Sequence, residues 1–393
     1  MREGFVRLGD VCTISGGYTP KPSQLFPEGD IPYFKVADMN RIGNEISLCY
    51  TDQYLKEARK VFPKGAIVFP KNGGAVATNK KRILAHDAVV DLNTGIAIPR
   101  ERVDNQYLFY YFQGIDFKCF IKEGTLPVLR TKEIANLPFY FPSLPEQQRI
   151  VDILDREFAK IDALKANAER SLQAAKDLFQ ATLKKELEPK EGWETEKIGA
   201  VFEITDFVSN GSFASLRENV KYHNEPNYAV LVRLVDNSNG FDPNKFVYID
   251  EHGYNFLAKS KLFGGELIMC NIGATIGTTF ICPNLGMPMS IGPNSLLIRT
   301  PNNEFFNYYL QSLSFKKKLK GIIAKTTLEK FNKTQFKELV ISFPGEQERK
   351  RIVSRLNNLN ANSKDLQDNY QKTLTLCDDL KQSLLRKAFN GEL

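Results

Sequence analysis

Two stretches of the chain carry a three-and-four alternation of apolar positions over about ten helical turns, the period of an α-helix with one buried stripe. The first stripe reads Val151, Leu154, Phe158, Ile161, Lys165, Ala168, Leu172, Ala175, Phe179, Thr182, with eight of ten positions apolar. The second reads Ile352, Leu356, Leu359, Ser363, Leu366, Tyr370, Thr373, Cys377, Leu380, Leu384, again eight of ten. Pro142 and Pro145 flank the start of the first, and Gly391 lies just past the end of the second, a suitable helix stop. At ~1.5 Å per residue, about 40 residues make a helix about 60 Å long. Such a helix can bury a narrow stripe only against another long helix. The economical arrangement is an antiparallel pair with a globule at each end; two separate bundles are the alternative. Ile150, Ile153, Leu164, Leu178 and Leu183 lie off the first stripe. They are expected to pack on the globules near the helix ends or to meet a partner.

The segments before each helix change period. Short β-patterned runs, such as 31–36, 66–69, 95–99, 228–234, 266–270 and 294–298, alternate with turn signals. Helical patches follow at 104–122 and 303–324. The reading is an α+β globule with a mainly antiparallel sheet, present twice.

The two halves answer one another at a period of about 200 residues. Lys35-Val36-Ala37-Asp38 answers to Arg233-Leu234-Val235-Asp236, and Gly65-Ala66-Ile67-Val68 to Gly265-Glu266-Leu267-Ile268. Gly73 and Gly273 follow eight residues later, then Tyr110-Tyr111-Phe112-Gln113 and Tyr308-Tyr309-Leu310-Gln311. The β-run ending at Phe141-Pro142 answers to the one ending at Phe343-Pro344. Each is followed by a Glu-Gln pair (146–147 and 346–347) and by Arg-Ile-Val. The order and spacing set chance aside. The blocks predicted are 1–145, 146–188, 189–345 and 346–393. Segments 15–30 and 206–226 share almost nothing, so one scaffold carries two different loop sets.

The chain has 393 residues and a net charge of +7. Residues 1–142 hold 19 basic against 15 acidic side chains, and residues 192–344 hold 16 against 14. The small excess therefore sits in the globules. It suits a polyanionic partner but is too modest for binding through phosphates alone. The six cysteines stand singly and read as reduced packing residues. The apolar runs are too short to span a bilayer, and the N-terminal segment has no signal-peptide core, so a cytoplasmic protein is expected. His86, His223 and His252 have no neighbour at metal-ligand spacing. No phosphate loop, zinc-protease helix or nucleophile elbow occurs. Neither a catalytic residue nor a metal ligand is expected. The glycines at 73–74 and 273–277 read as hairpin glycines before phosphate cradles.

The pattern resembles the specificity subunit of type I restriction-modification enzymes. The resemblance rests on the two globules, on Leu137-Pro138-Phe139-Tyr140-Phe141-Pro142 with Glu146-Gln147 and Arg-Ile-Val after it, and on the two long helices. Gly16-Gly17-Tyr18-Thr19-Pro20 and the terminal Lys387-Ala388-Phe389-Asn390-Gly391-Glu392-Leu393 also look like family elements. The resemblance implies two similar target recognition domains with a pseudo-two-fold internal repeat, joined by two antiparallel helices forming a coiled-coil spacer. Each domain would read one half of a gapped site in double-stranded DNA. The helices would set the spacing and dock two methyltransferase subunits, with restriction subunits joining them. S-adenosylmethionine, ATP and Mg²⁺ would belong to those partners, and this chain would hold no cofactor. One departure is the second junction, Pro344-Gly345-Glu346-Gln347, two residues shorter than the first.

Arg, Lys, Asn and Gln in loops are the side chains that read base edges and hold phosphates. The candidates are Lys21, Lys35, Lys71, Asn72, Asn79, Lys80, Lys81 and Arg130 in the first globule. In the second they are Arg217, Lys221, Arg233, Asn271, Lys325 and Lys330. An enzyme with an unrecognised site and a helical protein-interaction scaffold stand as alternatives.

Overall fold

A computed structural model describes residues 3–122, 127–323 and 329–393. The candidate Lys325 lies outside them. The chain forms two compact units, residues 1–170 with 370–393, and residues 171–369. The long helices α1 (Leu144–Leu187) and α2 (Glu346–Asn390) each contribute to both units.

In the first unit, strands β1 (Cys12–Gly16), β2 (Ile67–Pro70) and β3 (Thr94–Pro99) form the heart of a five-stranded sheet. β3 lies between the other two and is antiparallel to both, pairing Gly16 with Gly95 and Pro70 with Thr94. In the second unit, β4 (Glu203–Asp206), β5 (Leu267–Cys270) and β6 (Ser295–Arg299) repeat the arrangement. Asp206 pairs with Leu296 and Cys270 with Ser295. Each unit adds a second sheet, three-stranded in the first and five-stranded in the second, with one parallel pair, Tyr33 beside Val89 in the first and Val230 beside Met289 in the second. Each closes with a ribbon joining its first strand to its last, Phe5–Arg7 with Pro138–Tyr140 and Glu194–Lys197 with Val340–Phe343. The periodicity in sequence is therefore a repeat of topology.

The strands are apolar on both faces because helices and a second sheet cover them. Ile67, Val68 and Phe69 are fully buried, as are Leu267, Ile268 and Met269. Each main core also takes in residues of both long helices. Ile150, Leu154, Leu385 and Ala388 join the first core, and Leu183, Leu187, Ile352 and Leu356 the second.

Within each unit the helix segments run antiparallel. In the first, Lys165 Nζ donates to Asp378 Oδ1 at 2.7 Å and Lys381 Nζ to Asp162 Oδ1 at 2.5 Å. In the second, Ser363 Oγ donates to the Ala175 carbonyl at 3.4 Å, and Arg355 pairs with Glu186 at 2.9 Å. On α1, Val151, Leu154, Ile161, Ala168 and Ala175 are buried, while Phe158, Lys165, Leu172, Phe179 and Thr182 are half-buried. On α2, Ile352, Leu356, Ser363 and Cys377 are buried, and Leu359, Tyr370, Thr373 and Leu384 half-buried.

Two expected stripe positions are corrected. Leu366 and Leu380 are 46% and 49% exposed, and the half-buried neighbours are Gln367 and Lys381. The inward step from Ser363 and from Cys377 is four residues, not three. The polar residues fit there because their ends have partners. Gln367 Nε2 donates to Ser363 Oγ at 3.0 Å. The Lys381 ammonium lies 5.1 Å from the Phe158 ring centroid while it pairs with Asp162. Leu164 and Leu178, off the stripe, are exposed at 56% and 58%.

Candidate nucleic-acid interface

The end of β2 and the end of β5 build the same backbone socket. Lys71 follows β2: its N–H donates to the Asn93 carbonyl at 2.7 Å, and its carbonyl accepts from Leu129 N–H at 2.9 Å. Asn271 follows β5: its N–H donates to the Asn294 carbonyl at 3.1 Å, and its carbonyl accepts from Phe331 N–H at 3.3 Å. Two residues on, Gly73 N–H donates to the Pro127 carbonyl at 2.8 Å and Gly273 N–H to the Glu329 carbonyl at 2.9 Å. Both glycines take positive φ, +78° and +97°, which a side chain disfavours. They turn the chain toward the partner strand of the sheet, as hairpin glycines do.

In the second unit this socket opens into a pocket of about 530 Å³. Three sequence candidates, Arg217, Lys221 and Asn271, line it together, and Lys330 is bridged to Ile272 beside it. Ser212 caps the helix Phe213–Asn219 through Ser215 N–H at 3.2 Å, which orients Arg217. Arg217 and Lys221 are exposed and carry no ion pair among the described residues. Val208, Phe213 and Tyr222 complete the rim, at 43%, 78% and 55% exposure. Burial of its hydroxyl end holds the Tyr222 phenol above its ordinary pKa. The Asn271 Oδ1 is shielded from solvent and has no hydrogen-bond donor.

In the first unit the corresponding ground carries different residues. Gly16 and Gly17 stand where Asp206 and Phe207 stand in the second. A Cβ on Gly16 would lie 2.7 Å from Lys71 Nζ, and one on Gly17 2.2 Å from the Val90 carbonyl oxygen. Gly16 therefore lets Lys71 lie against the chain, and Gly17 lets the chain pass close to the Val90 carbonyl. Asn72 Nδ2 donates to Asn93 Oδ1 at 3.4 Å. Lys35 is half-buried, its ammonium 5.8 Å from the Tyr33 ring centroid, and Lys21 is exposed. Burial raises the Tyr33 phenol and the Asp91 carboxyl above their ordinary pKa values.

Other candidates are engaged within the protein. Lys81 is 1% exposed. Its ammonium donates to the Ile115 carbonyl at 2.5 Å and to Asn79 Oδ1 at 2.7 Å, and lies 4.3 Å from the Phe117 ring centroid. It is an internal strut, so the expectation of a surface contact is corrected. Asn79 has a left-handed backbone, φ +55°, and its Oδ1 also accepts from Phe117 N–H at 2.8 Å. Arg233 spends its guanidinium on buried Asp236, at 2.7 and 3.1 Å, and on the Lys245 carbonyl. Arg130 pairs with Glu133 at 3.0 Å, and Lys80 donates to Asn40 Oδ1. Sequence reasoning favoured cations and passed over Phe213, Val208 and the Asn93/Asn294 pair. The Asn-Thr and Asn-Ser pairs at 93–94 and 294–295 were the available signal for the last.

Among the described residues no group of His, Cys, Asp and Glu is placed to hold a metal ion. No described helix is long and apolar enough to cross a membrane.

Comparison with known proteins identifies the repeat. The sequence model for the family described as type I restriction modification DNA specificity domain matches residues 3–173 and 190–375. The EcoKI specificity subunit of Escherichia coli is 22% identical over 421 aligned residues, covering 100% of this chain and 89% of that protein. The MjaIX specificity subunit of Methanocaldococcus jannaschii is 25% identical over 241 residues. That match takes in 54% of this chain and spans about half, 53%, of that relative. Among solved structures, the HsdS subunit from Thermoanaerobacter tengcongensis superposes with a TM-score of 0.57 at 18% identity, covering 100% and 98% of the two chains. A chain from a structure on assembly and conformational transition of the type I R-M system gives a TM-score of 0.77 at 19% identity, covering 99% and 98%. With both globules matched in order by one family, this chain is a member of the type I restriction modification DNA specificity domain family.

Proposed function

We propose that the chain is the sequence-reading subunit of a type I restriction-modification complex, each globule reading one half of a gapped DNA site. The observation that carries this is the duplicated socket with different contents, Lys71 in one unit and Asn271 in the other. A scaffold held constant while its side chains differ is what two readers of different half-sites require.

The helices serve as the spacer and as the docking surface for two methyltransferase subunits. Leu164, Leu178, Leu366, Leu376 and Leu380 are 46–65% exposed along them, apolar surface that an assembly would cover. Catalysis belongs to the partners, as do S-adenosylmethionine, ATP and Mg²⁺, and restriction subunits complete the complex in the cytoplasm. The test is reconstitution. The purified chain alone should transfer no methyl group, and with its methyltransferase subunit it should direct methylation to one bipartite sequence. Methylation or cleavage by the chain alone would defeat the reading.

A further inference from the structure

We infer that Lys71 and Asn271 are equivalent base-reading residues, one for each half-site, with Lys71 directed to a guanine and Asn271 to an adenine. The inference rests on the DNA-reading function proposed above and assigns the residues and bases that carry it.

At both positions the backbone is held on both sides, N–H to an asparagine carbonyl before β3 or β6 and C=O to an N–H of the segment returning from 127–129 or 329–331. Neither side chain has a hydrogen bond or ion pair with a described residue. A pinned backbone with an unengaged polar end is the arrangement that presents a group to a ligand with little ordering cost. Of the polar side chains nearby, Asn72 is engaged with Asn93 and Lys333 with Asp206 and Ser209, whereas Arg217 and Lys221 stay free at the rim of the second socket.

The chemistry then differs between the units. A carboxamide offers one acceptor and one donor side by side, matching the N6 amino group and N7 of adenine in the major groove. Asn271 Oδ1 is shielded and lacks a donor in the free protein, so a rotation of the carboxamide into the pocket that it lines would let an adenine amino group satisfy it without breaking a protein bond. Across an A·T pair the groove continues with the thymine O4 and ends on the thymine methyl. Val208 and Phe213, exposed at the same pocket, are apolar surfaces suited to it. Arg217 and Lys221 at that pocket are free to hold phosphates. Lys71 offers donors only and matches the O6 and N7 acceptors of guanine. Beside it Gly16 and Gly17 stand in place of Asp206 and Phe207 of the second unit.

The test uses the chain assembled with its methyltransferase subunit and a library of duplexes randomised across the recognised site. Asn271→Asp keeps the acceptor and loses the donor, so it should move one position of the second half-site from adenine toward cytosine. The relative affinity for adenine there should fall about 5- to 150-fold, with the first half-site unchanged. Lys71→Gln should move one position of the first half-site away from guanine and leave the second unchanged. Asn271→Ala should relax the same position without a new preference, which guards against a folding defect peculiar to the aspartate. Variants that bind more weakly but with unaltered base choice in both halves would overturn the assignment while leaving two DNA readers standing. A wild-type complex with no bipartite preference would overturn the DNA-reading proposal itself.

Discussion

Gln147 and Arg349 do the same work with different chemistry, each donating to the carbonyl of the proline five residues earlier. Gln147 Nε2 reaches Pro142 at 2.9 Å, and Arg349 Nη1 reaches Pro344 at 2.8 Å. The buried Gln147 also takes the Asp104 N–H at 2.9 Å and donates to the Arg102 carbonyl at 3.0 Å. It therefore joins the start of α1 to the cap of the globule helix Asn105–Gly114. Gln147→Ala removes the partner of three partly buried backbone groups and should cost about 1–3 kcal/mol for each group left unpaired. Urea unfolding of the purified chain measures it; a loss under about 0.5 kcal/mol would mean water replaces the amide.

The helix stripe should be apolar in energetics as well as in pattern. Leu154 is fully buried, and Leu154→Ala should cost about 2–5 kcal/mol. The Lys165–Asp378 pair, 34% and 63% exposed, should contribute less than about 1 kcal/mol. A double-mutant cycle on Lys165 and Asp378 separates the ion pair from the packing of the lysine stem.

Lys81 should give stability a distinctive pH dependence. Burial pulls its ammonium from the ordinary 10.5 down to about 7. Between about pH 7 and about pH 10 the unfolded chain binds a proton that the folded chain does not, so stability should rise with pH there. Below about pH 7 both states are protonated and the slope from this group disappears. Lys81→Met should flatten the curve in that window. A wild-type stability that falls from neutral to alkaline pH, with no difference from Lys81→Met, would refute the role given to burial.

Arg217 and Lys221, exposed and without ion pairs among the described residues, should act through charge. Arg217→Gln and Lys221→Gln should each weaken DNA binding by the assembled complex about equally on all sequences. Each should lower the salt dependence of binding by about one unit of log–log slope. A fluorescence-anisotropy titration across salt concentrations reads both effects, and a changed base preference would assign either residue to a different role.

The repeat and the helices were legible because periodicity is a backbone property and survives divergence of side chains. Ile67, Val68 and Phe69 match Leu267, Ile268 and Met269 in burial although no residue is shared. The Glu-Gln pairs were legible and misleading. In space Gln147 corresponds to Arg349, while Gln347 is exposed, because the two-residue shortening at Gly345 shifts the register. Leu366 and Leu380 face outward against the apolar pattern because partnered polar side chains, Gln367 and the stem of Lys381, fill the inward places. Lys81 was misread for the same reason in reverse, since a charged type suggested surface and three internal contacts hold it inside. The socket shared by Lys71 and Asn271 is made by backbone groups, to which side-chain patterns are blind.

The central claim is that the two globules read DNA independently. It is tested most directly by replacing residues 1–142 with the corresponding globule of another family member and mapping the methylated sequence directed by the hybrid complex. The account predicts that one half of the recognised site changes while the other half is retained. A change in both halves, or in neither, would contradict it.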